Sequence, residues 1–127
     1  MLDRAHRLTT GTEFATAVRR GRRAGTETLV VHLWTPGHAG DAPDPSAPPA
    51  PARVGFVVGR TVGDAVTRNR VKRRLRHLVR PTVDALPVDS LLVVRALSPA
   101  GAASGLQLAD DLDRALTRVL RPKEARR

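Results

Sequence analysis

The feature that most constrains this chain is residues 65–80, a segment in which four of the large apolar side chains fall on one side of a helix. At 100° per residue they occupy about 100° of arc, the width expected of a stripe that faces a core. They are Val71, Leu75, Leu78 and Val79. From Arg60 to Arg80 there are also eight cations and one acid, Asp64. The segment therefore predicts a helix that covers a core with one side and offers the other to a polyanion.

The charge of the whole chain is concentrated in this segment. The 127 residues carry 22 Lys and Arg against 12 Asp and Glu, a net charge of +10, and residues 60–80 supply 8 − 1 = +7 of it. The length predicts one domain over residues 1–127. The absence of cysteine excludes disulfide scaffolds, zinc–thiolate sites and thiol catalysis.

Hydrophobic patterns predict three helices and three main strands. Helices are expected at 12–20, 65–80 and 104–120, with cap residues Thr10, Asp64 and Ser104. Strands are expected at 28–34, 53–59 and 90–96, with a further short strand near 22–27. Leu108, Leu112, Leu116, Val119 and Leu120 are expected to form the inward face of the last helix, with Asp110, Asp111 and Asp113 matching its dipole.

Proline content and charge predict how the segments between these elements behave. Residues 36–52 contain six prolines and are expected to form a flexible loop, which makes 28–34 and 53–59 the antiparallel strands of a long hairpin. Residues 122–127 are expected to fray as a basic tail. Because no apolar run is long enough for a secretory signal or a membrane span, we expect a cytoplasmic protein without membrane association.

These elements predict an α+β fold, a small and mostly antiparallel sheet with its helices packed on one side. Within it, Arg68 interrupts the stripe because it projects to the apolar side of the basic helix. Two readings are open: Arg68 points into a cleft and contacts a ligand, or its head extends to solvent.

The order of residues around the basic helix is more specific than its charge. The turn ending in Gly63-Asp64-Ala65-Val66 is followed by Arg68-Asn69-Arg70 and Lys72-Arg73. This order resembles the signature of the bacterial ribonuclease P protein subunit, and the surrounding elements also follow that family's order over about residues 7–121. The resemblance implies a ribosomal-protein-like sandwich with a left-handed βαβ crossover around the basic helix.

The same resemblance implies the function. The family's protein subunit binds a catalytic RNA and the 5′ leader of precursor tRNA, and so promotes 5′ maturation of tRNA by the ribonuclease P endoribonuclease. Catalysis is then expected in the RNA subunit, with Mg²⁺ serving the RNA-containing holoenzyme and no cofactor held by this chain alone. The chain's own residues agree, because its four histidines are scattered and show no ligand spacing or catalytic arrangement.

Carried over residue by residue, the resemblance implies two sets of RNA contacts. The leader-binding set is Phe14, Val18, His32, Arg60, Arg68, Asn69 and Lys72. The set that contacts the RNA subunit is Arg70, Arg73, Arg74 and Arg76. Val18 and His32 stand where family members often have aromatic residues, so fewer bases can stack there. Phe14 also has an ordinary alternative role in core packing.

Three other functions are weighed against this one. A structural rRNA-binding protein of the same fold would need the charge but not the ordered Arg68-Asn69-Arg70 motif. A helix-turn-helix DNA regulator fits poorly because strands flank the basic helix. A small phosphotransferase would need a glycine-rich phosphate loop, which Gly59 and Gly63 alone do not make.

Overall fold

A computed structural model describes Leu8 and residues 11–35 and 51–121. The three helices are α1 (Gly11–Arg20), α2 (Ala65–Val83) and α3 (Gly105–Leu120). The four strands are β1 (Arg22–Gly25), β2 (Leu29–Trp34), β3 (Arg53–Val57) and β4 (Leu91–Ala96). Short 3-10 turns lie at Arg60–Val62 and Ser98–Gly101. The predicted helices and strands are confirmed, including the short strand after the first helix.

The strands form one mixed sheet in the order β1-β2-β4-β3. β1 pairs antiparallel with β2, and β2 pairs antiparallel with β4. β3 pairs with β4 and runs parallel to it, with α2 as the connection between them. The predicted hairpin of β2 and β3 is therefore wrong. A parallel pair needs a long crossover connection, and α2 provides it between β3 and β4. In the resulting sheet, β4 lies between β2 and β3.

The helices divide between the two faces of the sheet, so the expectation that they share one side is also wrong. The apolar stripes of α2 and α3 pack on the face that carries Leu29, Val31 and Leu92. Ala17 of α1 packs on the opposite face against Leu91 and Val93. Strand side chains alternate between faces, and both faces of the central strands are apolar, so each face needs its own cover.

The ends of α2 and α3 follow the expected capping chemistry. The Asp64 carboxylate accepts a hydrogen bond from the Thr67 backbone N–H at 2.8 Å, and this bond lowers the pKa of Asp64. The Ser104 hydroxyl accepts one from the Gln107 N–H at 3.0 Å. Each bond satisfies a backbone donor that the helix itself cannot pair. α2 continues past the predicted end through Pro81 to Val83.

Two expectations for α3 differ from the structure. Leu120 is exposed rather than facing the core, because it projects about 100° away from the buried Val119 and so lies beyond the edge of the apolar stripe. Asp111 is buried, and its carboxylate accepts hydrogen bonds from the Thr28 hydroxyl at 2.6 Å and the Thr28 N–H at 3.2 Å. Asp111 therefore ties α3 to the residue preceding β2, a role beyond the helix dipole.

Several sequence expectations fall on parts of the chain outside the described ranges. They are the Thr10 cap, the basic tail at 122–127 and the loop over 36–50. The last two residues assigned to that loop, Pro51 and Ala52, are described, and Ala52 is buried against the core. Among the described residues, no helix is long and apolar enough to cross a membrane.

Candidate nucleic-acid interface

A cavity of about 170 Å³ opens at the outer edge of β3, between α1 and α2. One wall is apolar and aromatic, and the other carries two cations of α2. Its lining residues are Leu8, Phe14, Val54, Gly55, Phe56, Lys72 and Arg76. An aromatic ring opposite ammonium and guanidinium groups can stack on a nucleobase while the cations contact the adjoining phosphates.

The aromatic wall depends on the absence of a side chain at Gly55. A Cβ built on Gly55 would overlap the Phe14 ring and would stand 3.2 Å from Cβ of Leu8. Leu8 is held in place because its backbone N–H donates to the Val54 carbonyl at 3.0 Å. Glu13, one residue before Phe14, forms an ion pair with Arg53 of β3. These contacts fix the start of α1 on the edge strand and place the Phe14 ring against Gly55.

The cationic wall is one row of α2. Arg68, Lys72 and Arg76 are spaced four residues apart, so their side chains lie one above another on the same flank. Lys72 and Arg76 line the cavity. Arg68 stands one turn before Lys72 and is half-buried, with a buried Nε that has no hydrogen-bond partner among the described residues. A buried N–H without a partner is costly, which favours the reading that Arg68 meets a ligand.

The structure brings together only part of the predicted leader-binding set. Phe14 and Lys72 line the cavity, and Arg68 continues the Lys72 row. The other four residues do not line it. Val18 is on α1 with 38% of its surface exposed, Arg60 is exposed in the 3-10 turn after β3, Asn69 is exposed in the first turns of α2, and His32 is 6% exposed on β2.

His32 lies on the face of the sheet that α1 covers, where it is buried and close to the charges of two arginines. It pairs in register with Arg23 of β1 and Val93 of β4. Burial lowers the pKa of His32 below its ordinary value of 6.5, and the charges of Arg23 and Arg95 lower it further. Its Nδ1 is buried and has no hydrogen-bond partner in the described part of the chain. The arrangement favours the neutral imidazole.

The set predicted to contact the RNA subunit divides between two flanks of α2. Arg70 donates to the Gly101 carbonyl at 3.2 Å, and Arg74 donates to the Ala103 carbonyl at 3.3 Å. These bonds hold both guanidinium groups on the flank that faces α3. Arg73 is exposed between the flanks, whereas Arg76 lies on the opposite flank, in the cavity with Lys72.

Sequence reasoning did not single out the residues that shape this cavity, namely Leu8, Val54, Gly55 and Phe56. One signal was present, since a glycine inside a strand often marks a close approach of another group. The charge pattern alone could not predict that Arg76 lines the cavity and does not lie with the other residues assigned to the RNA subunit. Within the described ranges, no group of three or more His, Asp or Glu side chains could hold a metal ion.

The fold and the cavity define a basic α+β domain whose cations are concentrated along one helix. The sequence profile of the Ribonuclease P family matches residues 2–120. The chain therefore belongs to the Ribonuclease P protein family, and its role lies in the 5′ processing of tRNA.

Similar proteins agree with this assignment over nearly the whole chain. The ribonuclease P protein component of a Nocardioides species is 58% identical over 119 residues, covering 94% of this chain and 95% of that protein. The corresponding protein of Streptomyces avermitilis is 58% identical over 120 residues, covering 94% and 96%. The RNase P protein of Staphylococcus aureus shares the fold, with a TM-score of 0.71 at 21% identity and coverage of 91% and 98%.

Proposed function

We propose that this chain binds the catalytic RNA of ribonuclease P through the outer surface of α2 and receives the 5′ leader of precursor tRNA in the cleft between α1 and α2. The observation that carries the proposal is the cavity itself, which Phe14 lines together with Lys72 and Arg76. Stacking on one wall and phosphate contacts on the other suit a single strand of RNA.

The leader is assigned to this cleft because the cleft is narrow and has an aromatic wall opposite a cationic one. A cavity of about 170 Å³ has room for about one base and not for a duplex. Arg68 extends the cationic wall toward the start of α2, where Asn69 and Arg60 are exposed. Val18, which is 38% exposed on α1, would contact leader nucleotides beyond the cavity, whereas His32, which is 6% exposed, would act only by supporting that surface from within the sheet.

The RNA subunit is assigned chiefly to Arg70 and Arg73 of α2, which are exposed, and to Arg74, which is half-buried. The carbonyl bonds of Arg70 and Arg74 occupy one donor of each guanidinium, whose remaining N–H groups are available to phosphates. Such contacts supply affinity through counterion release and read little sequence.

Cleavage itself is assigned to the RNA subunit, with Mg²⁺ acting in the RNA-containing holoenzyme. The protein's part is to raise the affinity for a leader-bearing substrate and so to lower the Mg²⁺ concentration that cleavage requires. Its cations do this by reducing phosphate repulsion where leader and RNA subunit meet.

Reconstitution tests the proposal. The protein is added to the cognate catalytic RNA, and leader cleavage from precursor tRNA is followed at low Mg²⁺. Stimulation of cleavage is the expected result. Absence of stimulation would contradict the proposal, and association with ribosomal RNA in its place would favour a structural rRNA-binding role.

A second measurement tests the assignment of α2. Arg70→Ala with Arg73→Ala should weaken assembly with the RNA subunit by about tenfold and flatten the dependence of log K on log salt by about 1.4 to 1.8. Arg70→Ala also removes the hydrogen bond that Arg70 donates to the Gly101 carbonyl. The single variant Arg73→Ala is therefore compared with the single variant Arg114→Ala, which removes one charge from α3. Equal effects of these two single variants would show that α2 is not a preferred surface.

A further inference from the structure

A second cluster of arginines lies at the edge of the sheet opposite the cleft. It surrounds an open depression of about 450 Å³ between β1 and the end of α3, lined by Arg22, Arg23, Arg118, Val119 and Arg121. β1 and β3 are the two outer strands of the sheet. Three strand spacings of about 4.8 Å, roughly 14 Å, therefore separate this depression from the cleft.

The cluster is assembled by the fold and not by a single basic run. Arg22 and Arg23 belong to β1, whereas Arg118 and Arg121 come from the last turn of α3 and its cap. The Arg118 guanidinium donates to the Gly25 carbonyl at 2.8 Å, which fixes it across the end of β1. A guanidinium held in this way loses little side-chain freedom when it binds a ligand.

The local charge is not compensated within the part of the chain that the structure describes. Among those residues, no acidic side chain lines the depression, and none of the four arginines forms an ion pair. Elsewhere on α3 the pattern is different, because Arg114 is paired with Asp110 at 3.0 Å. The carbonyl groups at the end of α3 offset part of this charge, but their effect is confined to the last turn.

We propose that this depression is a second RNA-binding site, which takes the phosphodiester backbone of a strand that does not enter the cleft. The proposal rests on the proposed function, since it assigns a further contact to the same RNA-containing assembly. Guanidinium groups bind phosphates through paired N–H donors, and four of them around one concave surface suit two adjacent phosphates. None of its described lining residues is aromatic, which favours backbone contact over base stacking.

Two RNAs of the assembly could supply that backbone, the catalytic RNA or the body of the tRNA. The test variant is Arg22→Ala with Arg121→Ala, which keeps the structural bond of Arg118. The control is Arg114→Ala, a charge removed from α3 two turns before Arg121. One arm titrates the protein against the catalytic RNA as a function of salt, and the other titrates mature tRNA, which has no leader, against the holoenzyme.

The expected result is a loss of about tenfold in affinity at 0.15 M salt in one arm, with the salt slope reduced by about 1.4 to 1.8. The arm that changes identifies the RNA. An unchanged slope in both arms, relative to Arg114→Ala, would overturn the proposal. The α2 variant Arg70→Ala with Arg73→Ala is measured alongside. If neither double variant changes RNA binding, the proposed function fails. If only the α2 variant weakens RNA binding, the second site is rejected and the proposed function stands.

Discussion

The two faces of the sheet are made by the same strands but are packed in different ways. The face under α2 and α3 is closed and apolar, with strand residues that are at most 3% exposed: Leu29, Val31, Leu33, Val54, Leu92 and Val94. The face under α1 keeps half-buried aromatic residues, Phe14 and Trp34, and carries the charged or titratable groups Arg53, Arg95 and His32.

The difference shows how one small domain separates stability from binding. α1 is ten residues long, with only Ala17 fully buried, and it leaves a cavity at the β3 edge. α2 takes part in both regions, because its apolar stripe packs in the closed core while its Lys72 and Arg76 flank lines the cavity. Substitutions on the two sides of this helix should therefore have different consequences.

The largest expected effect is on the closed face. Leu75→Ala removes a fully buried side chain from the middle of α2 and should lower the free energy of unfolding by about 2–5 kcal/mol. Denaturant titration measures it. Leu106→Ala, at a position that is 86% exposed on α3, serves as the control and should change stability by less than about 0.5 kcal/mol. Similar values for the two variants would show that the closed face is not the source of stability.

The next effect belongs to the cleft. Gly55→Ala introduces a Cβ where the Phe14 ring lies, so the ring must move, at a cost of about 1–3 kcal/mol in folding free energy. Binding of leader-bearing precursor to the holoenzyme should weaken, while binding of mature tRNA should not. Gly59→Ala is the matched control, because nothing lies within 4 Å of a Cβ at that position. Normal precursor binding by Gly55→Ala would remove Phe14 from the leader site.

Local signals in the sequence predicted the elements well and their arrangement less well. The stripe of Val71, Leu75 and Val79 identified α2 and its buried side, and Asp64 identified its start, because helix periodicity and capping depend on neighbours along the chain. The pairing of β3 with β4 could not be read in this way. It depends on contacts between segments more than thirty residues apart.

The site was predicted only in part, again because it depends on contacts between segments that are far apart in the chain. Phe14, Arg68 and Lys72 were identified from a family resemblance, but the meeting of Phe14 and Lys72 with Gly55 at the edge of β3 is a product of tertiary packing. The burial of Asp111 against Thr28 was also missed. An acidic residue early in a helix is explained well enough by the helix dipole, so its pattern gave no reason to look for a buried partner.

A smaller effect should separate the cleft from the rest of α2. Arg68→Ala should leave assembly with the RNA subunit unchanged and weaken precursor binding by about tenfold, about 1.5 kcal/mol for one charged hydrogen bond. Stability should not fall, because the buried Nε has no partner to lose within the described residues. Competition binding with precursor and mature tRNA measures the difference, and an equal loss for both RNAs would contradict a leader contact.

The smallest effect concerns His32, the titratable group on the face under α1. Its pKa is lowered in the folded protein, first by burial and then by Arg23 and Arg95, so the unfolded chain binds the proton more readily. The stability that this provides is complete above the unfolded value of 6.5 and is lost as pH falls through that value toward the lower folded pKa. Unfolding free energy should therefore be lower at pH 5.5 than at pH 7.5.

His32→Phe tests whether this dependence comes from the face under α1. Phenylalanine fills a similar volume, cannot take up a proton and restores an aromatic ring at a position that faces α1, so the pH dependence between 5.5 and 7.5 should become flatter. His77→Phe, at an exposed position on α2, is the matched control for replacing a histidine by phenylalanine. If His77→Phe flattens the pH dependence of the unfolding free energy and His32→Phe does not, the titration belongs to the surface of α2. That outcome would contradict an electrostatic difference between the two faces of the sheet.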